Sequence, residues 1–106
     1  LTERLDSLAR QFDLKALPVS DLKPLQTSLM KNGFIGDNQV RAQGLLTQLA
    51  YHHYEAGPMD VEVALEAHLN RLTDQSAVLA DFHEGKHVLN LVRNLVSARQ
   101  QQTQAA

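Results

Sequence analysis

Gly57-Pro58-Met59-Asp60-Val61-Glu62-Val63-Ala64-Leu65-Glu66-Ala67-His68-Leu69-Asn70-Arg71-Leu72 is the stretch on which the fold turns. Glycine followed by proline halts the element before it, because one residue accepts a left-handed backbone and the other cannot continue a helix. Asp60 then stands where a helix N-cap belongs. Val61, Leu65, Leu69 and Leu72 recur every three or four residues, with Glu62 and Glu66 between them. That period is one face of an α-helix and not the alternation of a strand. The stretch predicts a helix that begins at Asp60, buries a narrow apolar stripe and keeps its glutamates outside. Short connections on both sides make its neighbours antiparallel.

The same reading extends in both directions. Upstream, Asp37 is the expected cap of a helix whose Ala42, Leu45, Leu46, Leu49, Ala50 and Ala56 fall on one side and which ends at Gly57. Before it, Asn32-Gly33-Phe34 is a helix stop, the glycine turning the chain and the phenylalanine folding back on the last turn. That helix starts near Ser20-Asp21, with Pro24 tolerated in its first turn. Leu1, Leu5, Leu8 and Phe12 share a face and predict a first helix over residues 2–13. Downstream, residues 75–101 are helical in pattern but interrupted by Gly85, which either kinks one long helix or divides two. From about residue 100 the glutamine-rich end is expected to be a frayed polar tail. No run alternates apolar with polar residues for long enough to make a strand. Residues 1–106 are therefore expected to form one all-α domain, a compact antiparallel bundle of four to five short helices with the last long or kinked.

Composition agrees. At 43% apolar and 21% charged, the chain can build a core instead of remaining disordered. Its 106 residues suffice for one such core. The absence of cysteine excludes disulfides, thiolate metal sites and cysteine nucleophiles, and suits a reducing cytoplasmic setting. No apolar run has the length of a membrane span, so no membrane partner is expected. The net charge of −2 hides a division. Residues 1–54 carry +1, residues 55–84 carry −6 with Arg71 as their single base, and residues 85–106 carry +3 from Lys86, Arg93 and Arg99. The basic last helix is expected to lie beside the acidic segment.

Chemistry-bearing patterns are few. His83-Glu84-Gly85-Lys86-His87 has the spacing that, in zincin metalloproteases, puts two imidazoles on Zn²⁺ and a carboxylate near the attacking water. His83 and His87 are thus weak metal candidates. No Asp, Glu or His follows His87 to serve as a third ligand, and Asn90 stands where the longer metzincin pattern needs glycine. His53 and His68 fall among inward-facing residues, where a hydrogen bond to a backbone carbonyl or water is the expected fate and a metal half-site or pH switch the alternative. The five glycines are scattered, so no phosphate-binding loop is present. No catalytic constellation and no cofactor are expected.

Two apolar surfaces remain. Val40, Gly44, Thr47, Tyr51 and Tyr54 form a stripe opposite the leucines of the third helix, where a surface helix is normally polar. Tyrosine suits interfaces, and Gly44 admits another helix closely. Either that helix is central and packs on both sides, or the stripe meets a partner. In the last helix Val88, Leu89, Leu91, Val92, Leu95 and Val96 cover an arc broader than one neighbour buries. The expected partner-binding residues are Val40, Gly44, Thr47, Tyr51, Tyr54, Val88, Leu89, Val92, Leu95 and Val96. They favour a small protein-interaction or regulatory module with a protein partner or a homodimer. The alternatives are a nucleic-acid-binding domain using the segment 86–99, which is poor in cations, and a metal-dependent enzyme using residues 83–87.

Overall fold

The computed structural model describes residues 2–52, 57–74 and 79–105. Among them are five helices and no strand: α1 Thr2–Gln11, α2 Leu22–Lys31, α3 Val40–His52, α4 Val61–Asp74 and α5 Leu79–Ala105, with a 3-10 turn at Val19–Asp21 leading into α2. The all-helical bundle expected from the periodicity is what forms. Its longest dimension, 45 Å, is set by the 27 residues of α5, which span about 40 Å at the helical rise. Its thinnest, 20 Å, is two layers of helices.

The local signals work as their chemistry requires. Gly33 takes φ 79°, and Phe34 N–H donates to the Leu29 carbonyl at 3.0 Å while Gly33 N–H donates to that of Met30 at 3.2 Å. These two bonds satisfy carbonyls that the end of α2 would otherwise orphan. Pro24 lies in the first turn of α2, where its missing N–H costs nothing. At the start of α4, Asp60 Oδ1 accepts from Val63 N–H at 3.2 Å. The same helix start receives help from far away, since Val61 N–H donates to the Leu14 carbonyl at 2.9 Å. Leu17 and Met59 exchange backbone hydrogen bonds of 2.9 and 2.8 Å. The connection after α1 is thereby laced to the connection before α4, and Leu14, Leu17 and Met59 are buried beneath it.

The core explains the breadth of the apolar arc on α5. Helices α1, α3 and α4 all pack on α5, while α2 packs on α3. A helix with three neighbours needs apolar residues around most of its circumference. Val88, Leu89, Leu91, Val92, Leu95 and Ala98 are accordingly buried, and Val96 is partly buried against them. Val61, Leu65 and Leu69 of α4 and Ala42, Leu45, Leu46 and Leu49 of α3 complete the same cluster, with Leu72 packed against its edge.

Gly85 does not divide α5, which is continuous through it. The glycine is a contact point. A Cβ built there would collide with Leu69 Cδ2 of α4 and reach van der Waals distance of Leu45 Cδ2 of α3. The polar end is helical, with α5 continuing to Ala105. Gln102 Nε2 donates to the Asp6 carbonyl at 2.9 Å, and Arg99 donates to the carbonyls of Ala9 and Arg10 at 3.0 and 3.2 Å. These contacts cover carbonyls of α1 and hold the end of α5 against it.

Candidate functional site

The motif His83-Glu84-Gly85-Lys86-His87 sits on α5 facing the start of α3. Glu84 Oε1 accepts from the backbone N–H groups of both Arg41 and Ala42, each at 3.1 Å. These are the second and third residues of α3, whose N–H groups have no intrahelical partner. A carboxylate there satisfies two orphan donors and meets the positive end of the helix dipole. Glu84 therefore does for α3 what an N-cap side chain normally does. The sequence reading assigned that role to Asp37. In the folded chain the carboxylate comes instead from a residue 43 positions away. The turn before α3 is closed by Gln39 Oε1 accepting from Gly36 N–H at 2.7 Å and by Gln43 Nε2 donating to the Gly36 carbonyl at 2.8 Å. Arg41 adds a second attachment by pairing with Asp81 and, at 3.8 Å, with Glu84 Oε2.

The two histidines of the motif part company. His87 Nε2 donates to the Phe34 carbonyl at 2.7 Å, so this half-buried ring pins the α2–α3 connection to α5. His83 is exposed. Lys86 lies over the Phe82 ring at 5.7 Å. The glutamate, one histidine and the glycine thus each face a different part of the chain, and among the described residues no three His, Asp or Glu side chains converge as a metal site. His68 of α4 borders a small cavity of about 170 Å³ with Arg41, Gln48, Leu72, Asp81 and Gly85. His53 lies outside the described residues.

The arginines of α5 are engaged at the surface with groups of the same chain. Arg93 hydrogen-bonds Glu66 at 2.6 Å and Glu62 at 3.2 Å, so these glutamates, outside the core and partly exposed, line the border of α4 with α5. Those two bonds, Glu66 first, hold the guanidinium above its ordinary value. Arg99 lies 3.9 Å from Asp13. The acidic and basic segments do lie side by side. Arg99 also borders a groove of about 440 Å³ at the end of α5, floored by Leu14 and Val96 and rimmed by Lys15, Gln100 and Thr103. No sequence pattern signals this groove, because its walls are brought together from the two ends of the chain.

Of the ten residues read as a partner surface, the structure separates the two groups. Val88, Leu89, Val92 and Leu95 are at most 4% exposed. That part of the arc of α5 is covered by the chain's own helices, while Val96 is partly buried and floors the groove beside Arg99. The stripe on α3 is different. Val40 is 69% and Tyr51 79% exposed, Thr47 is exposed between them, and nothing lies within 4 Å of where a Cβ on Gly44 would be. Among the described residues, α3 packs mainly against α2 and α5. Tyr54 lies outside the described residues. None of the four described stripe residues carries a charge. Val63 of α4, 61% exposed, and Met30 of α2, 39% exposed, are further large apolar residues at the surface.

The chain matches no known protein family, no curated protein and no solved structure.

Proposed function

We propose that this chain is a small protein-interaction module of the cytoplasm, regulatory in character, which binds a protein partner through the outer face of α3 and carries out no catalysis of its own. One observation supports the reading above the rest. The apolar stripes of α4 and α5 lie in or against the core, yet α3 has a second one whose Val40, Thr47 and Tyr51 are exposed, with half-buried Gly44 between them. Exposed valine and tyrosine on an uncharged helix face are costly to keep for a monomer and favourable to bury against another protein. Among the described residues no helix is long and apolar enough to cross a membrane.

The segment 83–87 supports this division of labour. Its glutamate and second histidine fix the start of α3 and the turn before it. The outward face is therefore carried on a helix whose first turn is fixed from behind, which lowers the ordering cost of binding.

The test is a photo-crosslinking side chain introduced at Thr47, with the same group at exposed Val63 as the control, expressed in cells. Discrete crosslinked protein species are expected from position 47 and not from position 63. Equal labelling from both positions, or none from position 47, would refute the proposal.

A further inference from the structure

We infer that Asn32 is a site of covalent modification: it deamidates through Gly33 when the end of α2 opens, and the isoaspartate product keeps that end from closing again. The sequence sets the chemistry. Of Asn32, Asn38, Asn70, Asn90 and Asn94, only Asn32 precedes a glycine, and the others are followed by Gln39, Arg71, Leu91 and Leu95. In the reaction the Gly33 amide nitrogen attacks Cγ of the Asn32 side chain. The proton of that nitrogen and the side-chain amide leave together as ammonia, and a five-membered imide is left. Water then opens the imide, its hydroxyl going to one carbonyl carbon and its proton to the nitrogen. Opening at Cγ gives aspartate. Opening at the main-chain carbonyl gives isoaspartate, whose backbone runs through Cβ. Glycine favours ring closure because it has no Cβ to hinder attack and the widest backbone freedom.

The fold keeps the reacting atoms apart. Asn32 is the C-cap of α2 with ψ 4°, which leaves the Gly33 nitrogen nearly eclipsed with the Asn32 nitrogen. Substituents on a tetrahedral carbon are spaced by about 120°, so the Gly33 nitrogen is turned that far from Cβ, whereas the imide needs the two almost eclipsed. The leaving group is held as well, since Asn32 Nδ2 donates to the Ser28 carbonyl at 2.7 Å. The nucleophile, Gly33 N–H, donates to the Met30 carbonyl at 3.2 Å, and an amide held in this way resists losing its proton to base. Arg4 Nη1 of α1 donates to the Asn32 carbonyl at 3.1 Å, so the peptide that must rotate is anchored from a second helix. His87 of α5 anchors it further along, at the Phe34 carbonyl. The site is nonetheless at the surface, with Asn32 half-buried and Gly33 exposed, and solvent reaches it once these bonds part.

The product opposes closure. Gly33 N–H on the Met30 carbonyl, with Phe34 and Ile35 N–H on the Leu29 carbonyl at 3.0 and 3.3 Å, forms the cap of α2. Isoaspartate adds a backbone atom ahead of all these donors and shifts them off register, which orphans the carbonyls of Leu29 and Met30. Aspartate keeps the register. It loses the donor to Ser28 and brings a carboxylate to the negative end of the α2 dipole, an effect that neighbouring Arg4 offsets in part.

The gate is tested on the purified full chain, incubated at mildly alkaline pH in native buffer and in urea, with peptic peptides followed by mass spectrometry and chromatographic separation of the isomers. Conversion should be faster at Asn32 than at any other asparagine, and at least about tenfold slower in the native chain than in urea. Arg4→Ala and His87→Ala loosen the end of α2 without altering Asn32 or Gly33. Each should raise the native rate at least about twofold, the worth of one hydrogen bond, and leave the rate in urea unchanged. Arg4 is exposed, so its removal leaves the core intact. Arg93→Ala, at the border of α4 with α5, should leave both rates unchanged. Equal rates in the two buffers, no acceleration by Arg4→Ala and His87→Ala, or equal acceleration by Arg93→Ala overturns the local gate.

Closure is tested on the isolated isoaspartate form after refolding. It should lose hydrogen-exchange protection at Phe34 and Ile35 while keeping it in α4, and Asn32→Asp should lose less. Protection at those two amides equal to that of the unmodified chain overturns the one-way character of the site.

Discussion

Replacing Gly85 by alanine, and comparing it with the same replacement at Gly44, isolates how closely α4 and α5 approach. Both glycines lie inside helices, so each gains about 1 kcal/mol of intrinsic helix stability on becoming alanine. At Gly44 nothing opposes the gain, since beyond the backbone of its own helix and its chain neighbours no atom of the described residues lies within 4 Å of the new methyl group. At Gly85 the methyl lands on Leu69 Cδ2, with Leu69 Cγ at 3.7 Å and Leu45 Cδ2 at 4.0 Å. The first of these is the end of a flexible side chain, which can rotate. It must do so inside a packed core where Leu69 is 5% exposed, and overpacking of that kind costs about 1 to 3 kcal/mol. The expected result is that dilute Gly44→Ala is stabilised by about 1 kcal/mol. Gly85→Ala is expected to be between neutral and about 2 kcal/mol destabilised, which leaves a difference of about 1 to 3 kcal/mol between the variants. Urea unfolding followed by circular dichroism reads both, and unchanged denaturant slopes would confirm that the folded and unfolded states are comparable. If Gly85→Ala is stabilised as much as Gly44→Ala, the close approach of α4 to α5 is refuted.

Further outcomes follow from other contacts. Glu84→Ala should cost about 1 to 2 kcal/mol, the worth of a helix cap, and Glu84→Gln, which keeps an acceptor for the Arg41 and Ala42 N–H groups, should lose less; equal losses would show that charge and not capping is what matters. Arg93→Ala should destabilise the chain slightly, with the difference vanishing in molar salt. Because the folded-state value of Arg93 is raised, its contribution is complete below the ordinary guanidinium value and is lost only as pH rises through the raised one, so stability curves of the two proteins should run parallel from pH 5 to 9. Gln102→Ala should speed hydrogen exchange at the end of α5 and leave the α4–α5 contact unchanged; protection unaffected at both places would argue against the bond to the Asp6 carbonyl. Added zinc should leave the thermal midpoint in place, because Glu84 and His87 are already engaged by the backbone, and a rise in midpoint would show that the segment can rearrange around a metal.

Features legible in the sequence are those whose cause is local. Gly33, Asp60 and the period of residues 61–72 act within one turn of themselves, and each behaves in the fold as its residue type requires. The second stripe of α3 is legible as a stripe for the same reason, but helical angle alone leaves open whether a neighbour covers it. The misread features have distant causes. Asp37 looks like a cap because its position is right, and no local rule reveals that Glu84 arrives from another helix. The arc of α5 looks excessive because a helical wheel counts apolar positions and not the number of neighbours that will cover them. Gly85 looks like a weakness until Leu69 is seen filling its missing side chain. Glutamines 100–102 look like a tail, although Gln102 finds a carbonyl on α1, 96 residues away. The groove beside Arg99 left no signal, since Asp13 and Val96 share no pattern along the chain.

The position of α5 bears on how the chain folds. Most small helical proteins fold fast because their contacts are short in sequence. Here the helix that organises the core follows the other four, and its bonds to α1 close loops of about ninety residues. On a ribosome, α1 and α4 would wait with their apolar faces unsheltered until α5 emerged, and that wait is the period of greatest exposure to aggregation for these helices. A chain released before α5 was made would leave α1, α3 and α4 without the surface they share.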